Sequence, residues 1–269
     1  MKDYILEASK AIKEADYLLI SAGAGMGVDS GLPDFRGVEG FWRAYPIAKK
    51  LGLRFEELAN PKWFRENPQL AWAFYGHRLN LYRQTKPHIG FKLLLDIAKS
   101  KKDYFVFTSN VDGQFQKAGY DVDKILEIHG SIFYLQCVQP CCNRVWRDNN
   151  LNISIDEEKF LAKEPLPKCR FCNDIARVNI LMFNDYSFID NRVVQQRKRF
   201  NEFLNRANNL VIIEFGAGLS VPTVRLVDED LSNRFNAKLI RVNPREPQGA
   251  NIPLRMGAKE AIENIYSNL

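Results

Sequence analysis

The sequence predicts an α/β protein, a doubly wound parallel sheet that carries a smaller second lobe. Three observations predict it. Short apolar runs at residues 18–20, 104–108, 125–128, 178–183, 210–215 and 238–242 alternate with segments of helical character, and strands that alternate with helices pair in parallel. The first run, Leu18-Leu19-Ile20, feeds a loop with glycine at alternate positions, Gly23, Gly25 and Gly27. Glycine in such a loop lets backbone N–H groups approach a phosphate closely. All five cysteines fall between Cys137 and Cys172, in a stretch that interrupts the alternation.

In chain order, Ile5, Leu6, Ala8, Ile12 and Ala15 recur near helical spacing and predict an amphipathic helix before the first strand. The glycine loop departs from the ordinary dinucleotide fingerprint, because Val28 stands where that pattern needs its third glycine. Pro33-Asp34-Phe35-Arg36 then supplies a guanidinium suited to phosphate or carboxylate and a ring able to keep water from a reactive carbon. Residues 45–85 are rich in Trp, Phe, Tyr, Leu and Arg and read as several helices, punctuated at Asn60-Pro61 and Asn67-Pro68. A helix from about Pro87 leads to the second strand, and a short helix around Phe115 leads to the third. After the cysteine segment and the fourth strand come an amphipathic helix over residues 191–205, a strand, a helix through Val227, a strand, and a closing helix from Ala258.

A chain of 269 residues can hold one large domain or a domain with a smaller module. Its 46% hydrophobic content and mixed charges describe a globular protein and exclude a disordered one. No apolar run approaches the ~20 residues that span a bilayer. The charged segment after Met1-Lys2-Asp3-Tyr4 does not read as a signal peptide. No membrane partner and a cytoplasmic location are therefore expected. The net charge of +6 is modest, and the cluster Arg197-Lys198-Arg199 reads as a solvated helix face. No nucleic-acid partner is expected, and the chain should be a monomer or weak oligomer.

Ligands bind at strand ends in such a sheet. The second strand ends in Ser109-Asn110-Val111-Asp112 and the third in His129-Gly130, which brings an amide, a carboxylate and an imidazole to the edge that carries the glycine loop. Histidine is the usual general base near neutral pH. For His77 and His88 a structural role is the plainer reading. The cysteines are spaced C-x-x-x-C-C at Cys137, Cys141 and Cys142, then C-x-x-C at Cys169 and Cys172. Two clusters with a knuckle in the second match a four-thiolate structural zinc site. Pro140 favours Cys141 over Cys142 as the second ligand, with Cys142 its competitor.

The first loop resembles the nicotinamide-dinucleotide loop of the sirtuin family, G-A-G-x-S-x-x-S-G-I-P-x-F-R. Gly23, Ala24, Gly25, Ser30, Gly31, Pro33, Phe35 and Arg36 match it. Asn110-Val111-Asp112 resembles the family's N-I-D, with Ser109 in place of its glutamine, and His129-Gly130 matches its catalytic H-G. Residues 179–185 are similar to the strand that pairs with substrate peptide, with Asn184 for glycine and Asp185 for glutamate. Gly216-Ala217-Gly218-Leu219-Ser220-Val221 resembles G-T-S-L-x-V without its two hydroxyls, while Val242-Asn243 resembles I-N and Gly257-Ala258 stands where the family closes with G-x-A.

The resemblance implies a single catalytic domain. A Rossmann-like NAD-binding lobe would comprise residues 1–40, 86–130 and 178–269, with a helical insert at 41–85 and a zinc-ribbon insert at 131–177. It implies an NAD-dependent protein-lysine deacylase that releases nicotinamide, free lysine and O-acyl-ADP-ribose. His129 would be the general base, and Asn110 would order the ribose. Val111 and Asp112 would hold the nicotinamide carboxamide, and Phe35 would exclude water. Ala22, Gly23, Ala24, Gly25, Arg36, Gly216, Ala217, Gly218, Asn243, Gly257 and Ala258 would complete the NAD site. Leu181, Phe183 and Asn184 would meet an acylated-lysine peptide or protein. The alternatives are an NAD hydrolase or mono-ADP-ribosyltransferase on the same scaffold, or a non-catalytic NAD-binding module. Family members that prefer acidic acyl chains pair a tyrosine with an arginine. Tyr75 and Arg78 stand at that separation here, although a solvated arginine beside a core tyrosine is the plainer reading.

Overall fold

The computed structural model describes residues 2–34, 37–50 and 52–269. Its strands are β1 Tyr17–Ala22, β2 Asp103–Thr108, β3 Ile125–Glu127, β4 Gly130–Cys137, β5 Trp146–Arg147, β6 Ile155–Asp156, β7 Leu161–Ala162, β8 Ala176–Ile180, β9 Leu210–Phe215, β10 Lys238–Val242 and β11 Ile252–Leu254. Six of them form one sheet in the order β11-β10-β9-β1-β2-β3, and every pairing in it is parallel. The strands of such a sheet are covered on both faces, which is why they read as continuous apolar runs. The order reverses at β1, and the crevice at a reversal is where an open α/β sheet binds its ligand.

Helices Lys2–Glu14, Ile89–Lys99 and Ala258–Tyr266 pack on one face through Ile12, Leu94 and Ile262. Helices Asn191–Arg206 and Thr223–Phe235 pack on the other through Phe203 and Leu231. A separate apolar cluster, which includes Phe41, Phe64, Trp72, Leu135 and Cys169, forms the core of the smaller lobe. Its longest helix, Pro68–Gln84, starts where the sequence marks it: Pro68 occupies the first turn and the Asn67 side chain accepts a hydrogen bond from Leu70 N at 3.1 Å. Among the described residues no helix is long and apolar enough to cross a membrane.

Several strand assignments differ from the sequence reading. The run at 178–183 is not a strand of the parallel sheet. Its ordered part, β8, lies antiparallel to β4 in a three-stranded sheet with β5. A short buried run has the same signature in either kind of sheet, so periodicity alone does not separate them. The sequence reading also omits β4 to β7, which lie in or beside the cysteine segment, and β11, which has only three residues with Pro253 in the middle. As an edge strand, β11 tolerates that proline. β4 begins at Gly130, whose φ of +78° is left-handed. A side chain there would place Cβ only 2.2 Å from Asn179 O, so only glycine permits the main chain to cross so close to β8.

Candidate active site

The register of the parallel sheet brings the strand ends to one edge, with Ala22 beside Thr108 and Phe215, and Phe215 beside Val242. Each loop leaves its strand by donating once more to the neighbouring strand. Gly23 N bonds Phe215 O at 2.9 Å, Gly216 N bonds Val242 O at 2.9 Å, Ser109 N bonds Ala22 O at 3.1 Å and Ile128 N bonds Thr108 O at 3.0 Å. The two Gly-Ala-Gly stretches meet at this edge, and Gly25 N donates to Gly216 O at 3.1 Å. Gly216 has φ +60°, and an added Cβ would fall 2.3 Å from Gly25 Cα. Glycine at 216 is thus a condition for the two loops to touch. Beyond them a cavity of about 710 Å³ opens between the large and small lobes.

Gly23, Ala24, Gly216, Ala217 and Gly218 line this cavity together with Asn110, Val111, Asp112 and His129. Asn110 is held in place by its own carboxamide, whose Nδ2 donates to Gly23 O at 2.9 Å. The buried Asp112 accepts from Gln114 N at 2.9 Å. Burial raises its pKa to about 6, with Glu127 pushing the same way and Arg78 opposing. His129 follows two residues after β3. Burial lowers its pKa, a bond to the Ser109 carbonyl works against that, and the net effect favours the neutral ring, the form that accepts a proton. His129 O accepts from Leu181 N at 2.9 Å, which ties the imidazole's backbone to the segment after β8. His88 is structural: Nδ1 accepts from Gly90 N and Nε2 meets Met26 O at 3.1 Å, so it caps a helix and steadies the glycine loop.

Six sequence-expected residues do not line the cavity among the described residues: Ala22, Gly25, Asn184, Asn243, Gly257 and Ala258. Asn243 is fully buried, and its carboxamide is used within the protein. Nδ2 donates to Ala217 O at 2.9 Å and Oδ1 accepts from the backbone of Arg245 and Glu246. It braces the wall, and Arg245 and Glu246 line the cavity instead. Gly257 precedes the last helix, whose Lys259 N donates to Asp29 at 2.8 Å. Asn184 makes a left-handed turn (φ +55°) before Asp185, which pairs with the buried Arg177 at 2.9 Å. Phe35 and Arg36 lie outside the described residues.

On the small-lobe side the cavity is lined by Phe55, Tyr75, Arg78, Tyr82, Leu181 and Phe183. Leu181 and Phe183 are part-exposed at its mouth, and Phe183 N bonds Ala59 O at 3.0 Å. Arg78 is 6% exposed, which overturns the reading of a solvated arginine. Its guanidinium lies 5.4–6.0 Å from the ring centres of Phe74, Tyr82, Tyr75 and Phe55. Tyr82 was legible only through its helical spacing from Arg78, and Arg245 and Glu246 only as neighbours of a strand end.

The Sγ atoms of Cys137, Cys141, Cys169 and Cys172 all lie within 4.8 Å of one another. Two of the distances are 3.5 Å (Cys137 to Cys172) and 3.7 Å (Cys141 to Cys169). Sulfurs bound tetrahedrally at about 2.3 Å from zinc would be about 3.8 Å apart, so the donor set fits that ion. Cys142 is outside this set. The cluster takes no part in lining the cavity.

A doubly wound sheet whose two glycine loops border a cavity with a strand-end histidine, beside a four-thiolate metal site, defines a nucleotide-using enzyme with a structural metal. The Sir2 family model matches residues 23–221, and the chain belongs to the Sir2 family, the sirtuins. It is 29% identical over 254 residues to an NAD-dependent protein deacylase of Aquifex aeolicus (strain VF5), covering 92% of both chains. It is 33% identical over 178 residues to one of Thermococcus kodakarensis, covering 66% of this chain and 63% of that one. A solved Sir2 homologue in complex with NAD superposes with a TM-score of 0.74 at 26% identity, over 97% of this chain and 92% of the other.

Proposed function

We propose that the protein is an NAD-dependent protein-lysine deacylase, with its reaction in the cavity between the lobes. The observation that carries this reading is convergence: His129, Asn110 and Asp112 line the same cavity as both glycine loops and the exposed Leu181 and Phe183. NAD, when bound, would supply a sugar carbon that takes the acyl oxygen as nicotinamide leaves, and a ribose hydroxyl that ends up carrying the acyl group. The glycine-loop backbone at Gly23, Ala24, Gly216, Ala217 and Gly218, which lines the cavity, would hold its phosphates without the two hydroxyls of the family pattern. Asp112 and Val111 would hold its carboxamide, and Asn110 would orient its ribose. His129, neutral and within the cavity, would take the ribose proton. Leu181 and Phe183, with Asn184 just beyond the cavity lining, would border the peptide, and Cys137, Cys141, Cys169 and Cys172 would hold zinc. We read the partner as an acylated-lysine protein and not a nucleic acid, and the enzyme as a cytoplasmic monomer or weak oligomer.

The acyl group is read from Tyr75 and Arg78. Both are buried, both line the cavity, and residues three apart share a helix face. A desolvated guanidinium is best matched by a carboxylate, so the favoured acyl chain is acidic. The test is nicotinamide release measured without peptide and with acetyl-, succinyl- and long-chain acyl-lysine peptides. Release should depend on peptide and be fastest with succinyl-lysine. Equal release without peptide would establish the hydrolase instead, and preference for acetyl-lysine would remove only the acidic-acyl reading.

A further inference from the structure

Tyr75, Arg78 and Tyr82 lie at intervals of three and four on helix Pro68–Gln84, so they share one face, and all three line the cavity. The Tyr82 hydroxyl accepts from Arg78 at two points, Nε at 3.2 Å and Nη2 at 2.9 Å. A guanidinium is a planar fork, and two bonds from one edge fix its plane as well as its position. We infer that Tyr82 is a positioning residue for acyl selectivity: its hydroxyl sets the Arg78 guanidinium in the orientation that receives an acidic acyl chain. This rests on the acidic-acyl reading above.

Two further observations support it. The surroundings of Arg78 include the faces of Phe55, Phe74, Tyr75 and Tyr82, which attract the cation but set no single plane for it. Asp112 lines the same cavity, and the Arg78 charge opposes the rise in its pKa. The anchor to Tyr82 on its own helix holds Arg78 independently of that carboxylate.

The experiment measures kcat/KM for succinyl- and acetyl-lysine peptides in wild type, Tyr82→Phe, Arg78→Met and the double variant. Tyr82→Phe keeps the ring and removes only the hydroxyl, and loss of a hydrogen bond to a charged group should lower the succinyl-to-acetyl ratio by about tenfold or more. In the Arg78→Met background the same change should leave the ratio where Arg78→Met alone puts it. An unchanged ratio in Tyr82→Phe, an equal fall with both peptides, or a further fall of the ratio in the double variant would each overturn the positioning role. Wild type without a succinyl preference would instead show that the acidic-acyl reading itself fails, and the inference with it.

Discussion

His129→Ala should cut deacylation by about 10²–10⁴-fold, the usual contribution of a general base. The imidazole lines the cavity just beyond β3, and burial lowers its pKa. A lowered value means that the neutral, proton-accepting form persists below the ordinary value of about 6.5. The acid limb of the rate profile should therefore fall below that pH in wild type and disappear in the variant. NAD affinity should drop far less, because the glycine-loop backbone and Asp112 remain. Nicotinamide exchange, which needs only the earlier attack, should survive better than net deacylation. Equal loss of exchange and deacylation, seen by assaying both on one preparation, would make His129 structural.

Removing the metal should have the second largest effect. Cys137 and Cys169 belong to the apolar cluster of the small lobe. Cys137 ends β4, while Cys169 and Cys172 sit on the loop before β8. Losing the ion would leave neighbouring thiols crowded and the two ends of that sheet unjoined. Structural zinc sites contribute folding free energy directly, so chelation should lower Tm by about 10 °C or more. Cys169→Ser should do the same. Metal analysis should find one zinc per chain, and activity should return with the fold on re-addition. A chain that keeps its Tm after chelation, or holds no zinc, would contradict this.

Much of the fold was legible because buried parallel strands are apolar runs and their ends carry unusual residues. The sequence of Gly23 to Gly27 marked the loop, and Asn110 and His129 stood at strand ends. β8 belongs to a different sheet from the one its apolar run suggests, because pairing direction leaves no mark on a short buried run. Asn243 was expected to touch cofactor, but its carboxamide is used by Ala217, Arg245 and Glu246. A strand-end asparagine reads the same whether it faces a ligand or a loop. Arg78 was hardest to place, since burial of a charged residue depends on Phe55, Phe74 and Tyr82 closing around it. Convergence of the four thiols distinguished Cys141 from Cys142, where spacing had left both open.

The central claim, acyl transfer from lysine to the ADP-ribosyl group, is tested most directly by product stoichiometry in a single turnover followed by mass spectrometry. Nicotinamide, deacylated peptide and O-acyl-ADP-ribose should form in equal amounts. Nicotinamide and free ADP-ribose in excess of deacylated peptide, or ADP-ribose attached to the peptide, would contradict it.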